Sequence, residues 1–231
     1  EVEASHLTLL DGQLSAERIK ADARDIHLDT SSGFNSHETH LKNIKKLSNQ
    51  GTISATNTFA LNGQDVTLQG QGSINSDQVT VQVGALDIDT QVRAGIAEIK
   101  ALRTLNVAPT AVVSAKKTAA LTGSNVTIQG QVIAGDDLSV SATDMTLKGG
   151  LSSAGDIAVV SDKLRIEGKV NANQTATLKA KQRFDTVQGS HLAALNTLVL
   201  EAKDLYIGGD SHRAKKVHIH ADKVTNHRRL S

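Results

Sequence analysis

The residues best suited to chemistry in this chain of 231 are its histidines, one adjacent carboxylate pair and a basic C-terminal stretch. His218 and His220 flank Ile219. In a strand with Ile219 inward, both imidazoles leave the same face about 7 Å apart. His212 and His227 lie close in sequence, and neutral imidazole is a common ligand for zinc or nickel. No cysteine or carboxylate completes the set, however, and outward strand positions take polar residues in any case. The same holds for His37 and His40 in the stretch SHETH, so no metal site is assigned and no cofactor is expected. Asp136 and Asp137 could serve acid–base chemistry if they faced a cleft. Beside Gly135 they read instead as a solvated turn. From His212 to Arg229 the chain carries Arg213, Lys215, Lys216, Lys223, Arg228 and Arg229, with Asp222 among them and Asp210 just before. Such an end suits an acidic surface such as a sulfated glycan or lipopolysaccharide. It also suits protection of an exposed strand edge by charge. No aromatic residues interleave with these cations, so nucleic-acid stacking is not expected.

The elements that must carry these residues are set by a repeat. NVTIQG ending at Gly130, DMTLKG at Gly149, KLRIEG at Gly168 and DLYIGG at Gly209 are copies of one phrase. Extended, they give twelve marks at Asp11, Thr30, Gly51, Gly70, Thr90, Pro109, Gly130, Gly149, Gly168, Gly189, Gly209 and Arg228, spaced by 19 to 21 residues. Four residues before each mark the position is apolar in eleven of twelve units, with Asp185 the exception. Two residues before, it is apolar in ten of twelve, with Asn49 and Asn226 the exceptions. The residues between are mostly polar, which is the alternation of a strand buried on one face.

A second apolar pair recurs earlier in each unit, as in Phe59/Leu61, Leu138/Val140 and Ile157/Val159. A third segment follows the mark, as in Ile53/Ala55, Val132/Ala134 and Val170/Ala172. Three short strands per coil leave no room for an ordinary helix. The pattern predicts an all-β, single-stranded parallel β-helix of about twelve coils, roughly 55 Å long at about 4.8 Å per coil. A meander of antiparallel hairpins accounts for the turns but not for a fixed unit.

Two units break the pattern. Between Thr90 and Pro109 a slip of one residue, with Ala97, Ile99 and Ala101 inward, restores it. Pro109 then sits at a turn. Between Thr30 and Gly51 the central pair falls on His40 and Lys42, and Leu41, Ile44 and Leu47 show helix-like spacing. That coil is read as an outward loop or short helical excursion. Its polar residues His37, His40, Lys42, Lys45 and Lys46 join Arg213, Lys215, Lys216, His218, His220, Arg228 and Arg229 as candidate partner-binding residues.

Composition agrees with a solenoid core of Val, Ile, Leu and Ala, since only 2% of the chain is aromatic against 39% hydrophobic. A net charge of +1 gives no global pull towards nucleic acid or membrane. No apolar run is long enough to span a bilayer, so stable membrane insertion is not expected. No signal peptide stands at Glu1, and any export signal is expected outside this chain. The absence of cysteine fits the cytoplasm and equally an exported surface protein.

In its period and phrasing the chain resembles the haemagglutinin-type repeats of filamentous haemagglutinin and related two-partner secretion exoproteins. The phrases that carry the likeness are LSNQGTISA at 47–55, NVTIQGQVIAGDDLSVSATDMTLKG at 125–149 and GGLSSAGDIAVVSDKLRIEGKVNANQTATLKA at 149–180. The resemblance implies a right-handed coil within a long fibre on a Gram-negative cell surface. Residues 1–231 would then form a single internal β-helix segment of an adhesin or of a contact-dependent growth inhibition effector. Its implied partners are the rest of the fibre, an outer-membrane two-partner secretion transporter, and a glycan or cell-surface receptor. The family's NPNG-like secretion motif is absent from this chain. The expected role is a structural stalk. The alternatives are direct adhesion and self-polymerisation of the bactofilin type, against which the charged Arg228–Arg229 end argues. No enzyme is expected, because units that differ by only two residues leave little chain to wall a cleft.

Overall fold

The computed structural model describes residues 2–208 and 211–226. The strands, in chain order, begin with β1 (Val2–Leu9), β2 (Gln13–Leu28), β3 (Gly33–Asn49), β4 (Thr52–Ala101), β5 (Thr104–Val107) and β6 (Val112–Ala115). There follow β7 (Ala119–Ile128), β8 (Gln131–Ala134), β9 (Leu138–Leu147), β10 (Gly150–Ser153), β11 (Ile157–Ile166) and β12 (Lys169–Ala172). The last are β13 (Thr175–Thr186), β14 (His191–Ala194), β15 (Thr197–Ile207), β16 (Ser211–Arg213) and β17 (Lys216–Asn226). No helix occurs among the described residues. Strands pair in parallel with their equivalents one coil away, which makes the molecule the parallel β-solenoid that the period predicts.

The three segments of each coil are present as three straight faces. In β7 buried and outward residues alternate over Ala119–Leu121 and again over Val126–Ile128, while Ser124 and Asn125 between them both point out. A strand that keeps its hydrogen bonds while turning a corner must place two residues outward in succession. The first and second faces are therefore one bent strand, and the four-residue strand after the glycine turn is the third face.

Equivalent inward residues stack into columns. One runs Val92, Val113, Val132, Leu151, Val170, Leu192 along the third face. Another runs Leu86, Leu105, Val126, Met145, Leu164, Phe184, Leu205 along the second. All are buried. Branched aliphatic side chains fill such columns because the coil spacing brings like shapes into contact at every step. At the glycine turns the coils approach closely. A Cβ on Gly130 would overlap the carbonyl oxygens of Ala108 and Ala111, and one on Gly149 that of Gly130.

Two sequence expectations change. The coil from Thr30 to Gly51 is neither loop nor helix: β3 crosses it as a strand, with Thr39 and Leu41 in the inward slots opposite Phe59 and Leu61. The slip is absorbed at Lys42–Ile44, where the register shifts and Asn43 takes a left-handed φ of 58°. Leu41, Ile44 and Leu47 are all buried, with outward pairs between them. Their spacing is that of a strand rounding a corner, which mimics a helix over this span. The cost of burying Thr39 is met by a mutual hydrogen bond between its Oγ1 and Ser36 Oγ at 2.7 Å. That bond is decisive, since an unsatisfied buried hydroxyl costs about 1–3 kcal/mol. The second change is at Asp185, which the count places inward. Phe184 holds that slot, stacked between Leu164 and Leu205, and Asp185 pairs outward with Arg183 at 2.8 Å. The slip at Ala97, Ile99 and Ala101 is present as expected, all three being buried.

Phe184→Ala is expected to lose about 3–5 kcal/mol of stability. Asp185→Ala, which removes only an exposed ion pair, is expected to lose less than about 1 kcal/mol. Chemical denaturation of the two variants measures the difference, and equal losses would contradict the register.

Candidate functional site

The first polar cluster does not converge, because β3 rounds a corner within it. His37 stands at the corner between third and first faces, with Nδ1 3.0 Å from Thr56 Oγ1. His40 lies on the first face, 3.4 Å from Glu38 Oε2, which Arg18 Nε also meets at 2.7 Å. The Arg18 guanidinium holds the Glu38 carboxyl below its ordinary value, and His40 adds to the effect while burial opposes it. Lys42 stacks beside Asp22, and Lys46, past the corner, beside Asp25. Lys45 is exposed at the corner between them. These residues address different directions in space.

The basic end is similarly distributed. His218 and His220 occupy alternate outward positions of β17, stacked on Val199 and Glu201, as their spacing requires. His212 does not join them, because its register partner is the buried Leu192 and it takes an inward slot of the third face. Lys215 and Lys216 are exposed at the turn into β17, and Arg213 ends β16. His227, Arg228 and Arg229 lie outside the described residues. Among the described residues no three His, Cys, Asp or Glu side chains gather as metal ligands. Asp137 serves the backbone: its Oδ1 accepts from the Asp156 amide at 2.9 Å, and Asp156 Oδ1 in turn accepts from the Thr175 amide at 2.8 Å. The Asp136 carbonyl accepts from Gly155 N at 2.7 Å. These aspartates stitch successive turns.

No family model, curated protein or solved structure matches this chain. What the surface does provide is a groove that residue counting does not find. The last inward position of the third face is held by Ala94, Ala115, Ala134, Ser153, Ala172 and Ala194, so the corner beyond it is pinched inward. Along this corner an open cavity of about 410 Å³ is bordered by Thr56, Asn75, Asp77, Arg93, Ser114 and Lys116. His37 adjoins it through Thr56. Further along the same corner, a second of about 460 Å³ brings together Asn171, Asn173, Leu195, Arg213 and Lys215. Arg93 and Ser114 are register partners, so writing the sequence in coil register and reading the outward columns would have found them. On the second face Arg183 lies 4.3 Å over the Tyr206 ring, a cation–π contact that Asp185 steadies through the same guanidinium.

Because the Glu38 carboxyl is depressed in the folded chain, its contribution to stability is complete above the unfolded carboxyl value. It is lost as pH falls through the folded one. Carboxyl-resolved NMR titration should place Glu38 below ordinary glutamates, and Arg18→Ala should raise it most of the way back. No change on that substitution would remove Arg18 as the cause.

Proposed function

We propose that this chain is a stalk segment of a secreted, cell-surface filamentous protein, one that holds adhesive or toxin-delivery domains at a distance. The observation that carries the reading is the continuity of the inward columns, which runs without a break from Ile26 and Leu28 in β2 to Leu198, Leu200 and Leu205 in β15. A single core bridged by backbone hydrogen bonds at every coil resists bending and fixes length, which is the mechanical property a spacer requires. The resemblance of 47–55 and 125–180 to haemagglutinin-type repeats supports the same reading, with the Gram-negative surface as its place and a two-partner secretion transporter as its exporter. A second reading, direct adhesion, draws on the groove at Asp77, Arg93 and Lys116. There two cations, one carboxylate and the Asn75 amide offer the donors and acceptors that a hydroxyl-rich, anionic saccharide would use.

Stiffness is measured by spin labels on Gln13→Cys and Lys169→Cys, which are unique because the chain has no cysteine. About eight coil steps of about 4.8 Å predict a narrow separation near 38 Å. A broad distribution would contradict the stalk. Glycan-array and whole-cell binding by the chain is expected to be absent. Binding that Arg93→Ala and Lys116→Ala abolish would replace the stalk by the adhesive reading.

A further inference from the structure

The two ends of the rod differ in charge and match in shape. At the C-terminal end the inward residues of β17 have nothing above them among the described residues: Val217, Ile219 and Val224 are 46%, 44% and 50% exposed. Their partners one coil below, Leu198, Leu200 and Leu205, are buried. At the N-terminal end Leu7 and Leu9 of β1 are half-buried over Ile26 and Leu28. Within the described residues β1 pairs with β2 and β17 with β15, so each leaves one parallel backbone edge free. A free edge and an apolar row together form a template for another strand. The sequence adds the sign. The first 17 residues carry Glu1, Glu3, Asp11 and Glu17 and no Lys or Arg. From residue 211 onward Arg213, Lys215, Lys216, Lys223, Arg228 and Arg229 stand against Asp222 alone.

We infer that these ends are the two halves of one interface, and that a second copy of this chain adds its β1 to β17 head to tail. The occupant is set by three features acting together: parallel strand direction at both edges, the same coil register, and opposite charge. Leu7 holds the position over Ile26 that Val224 holds over Leu205, so continuing the register puts Leu7 on Val224 and Ala4 on Ala221. Outward of that pair, Lys223 meets His6, which Asp25 accompanies at 3.1 Å. Acidic first turn and basic last turn attract, whereas two like ends repel, so the contact selects head-to-tail over end-to-end mirror pairing. Such an interface does not close on itself and propagates along the rod axis.

Sedimentation velocity and small-angle scattering on the full chain, from low to high micromolar concentration, test this. The expected result is a series of species that lengthen at constant cross-section and weaken several-fold when the salt is raised. Ile219→Lys and Leu7→Lys should each leave the thermal midpoint unchanged and abolish the series alone. Mixed, they should form one-to-one dimers and nothing longer, because one intact head then meets one intact tail. A chain that stays monomeric at every concentration overturns the inference, as does a closed dimer or an assembly indifferent to both substitutions. A shortened chain ending at Asn226 separates the remaining occupant. If it associates while the full chain stays monomeric, residues 227–231 cover the edge and the inference fails; equal association supports it.

Discussion

Every coil must have nearly the same perimeter as the one below it, because parallel backbone hydrogen bonds join the two along all three faces. The bond from Gly149 N to Ile128 O at 3.0 Å has its counterpart from Gly168 N to Leu147 O at 3.0 Å, one coil on. From this equality the rest follows. Residues at equal phase stack, so an inward side chain must fit its neighbours above and below as well as those across the core. Small residues are held where the chain turns most sharply, as at Gly130, Gly149 and the alanine column from Ala94 to Ala194. Where the count is off by one, the surplus residue is pushed outward as a bulge, as at Asn43, and the columns resume beyond it.

This constraint explains what the sequence could and could not reveal. The columns through Leu105, Val126, Met145 and Leu164 are visible by counting, because their side chains are apolar and the spacing is steady. The coil of β3 reads as something other than a strand because rounding two corners gives Leu41, Ile44 and Leu47 the spacing of one side of a helix, and Thr39 is polar yet inward. No periodicity separates those cases. The hydrogen bond with Ser36 that admits Thr39 to the core is a contact across a turn, invisible until the turn is built. At Asp185 a single extra residue between Ala180 and Phe184 moves the phase, and the apolar neighbours on both sides hide the shift.

The same geometry governs surface chemistry. Residues close in sequence are dispersed by the corners, as His37, His40 and Lys46 are, while residues about a coil apart become neighbours, as Arg93 and Ser114 do. Ion pairs obey this rule too: Lys179 meets Glu201 at 2.7 Å and Arg18 meets Glu38 at 2.7 Å, each across one coil. Such exposed pairs contribute little apiece, about 0–1 kcal/mol. Their effect is to favour the correct register, since a slip would set other residues opposite each other. Clusters on a solenoid are therefore best sought down columns rather than along the chain.

The stacking of each coil on its immediate predecessor also bears on how the molecule comes into being. The partner of Val132 is Val113, already placed when Val132 arrives, and Val132 in turn receives Leu151. No strand has to wait for a distant part of the chain to close the core. Loop-closure entropy is thus met in small, equal steps, and once a first pair of coils has formed, the fold can grow in the order in which the polypeptide is delivered.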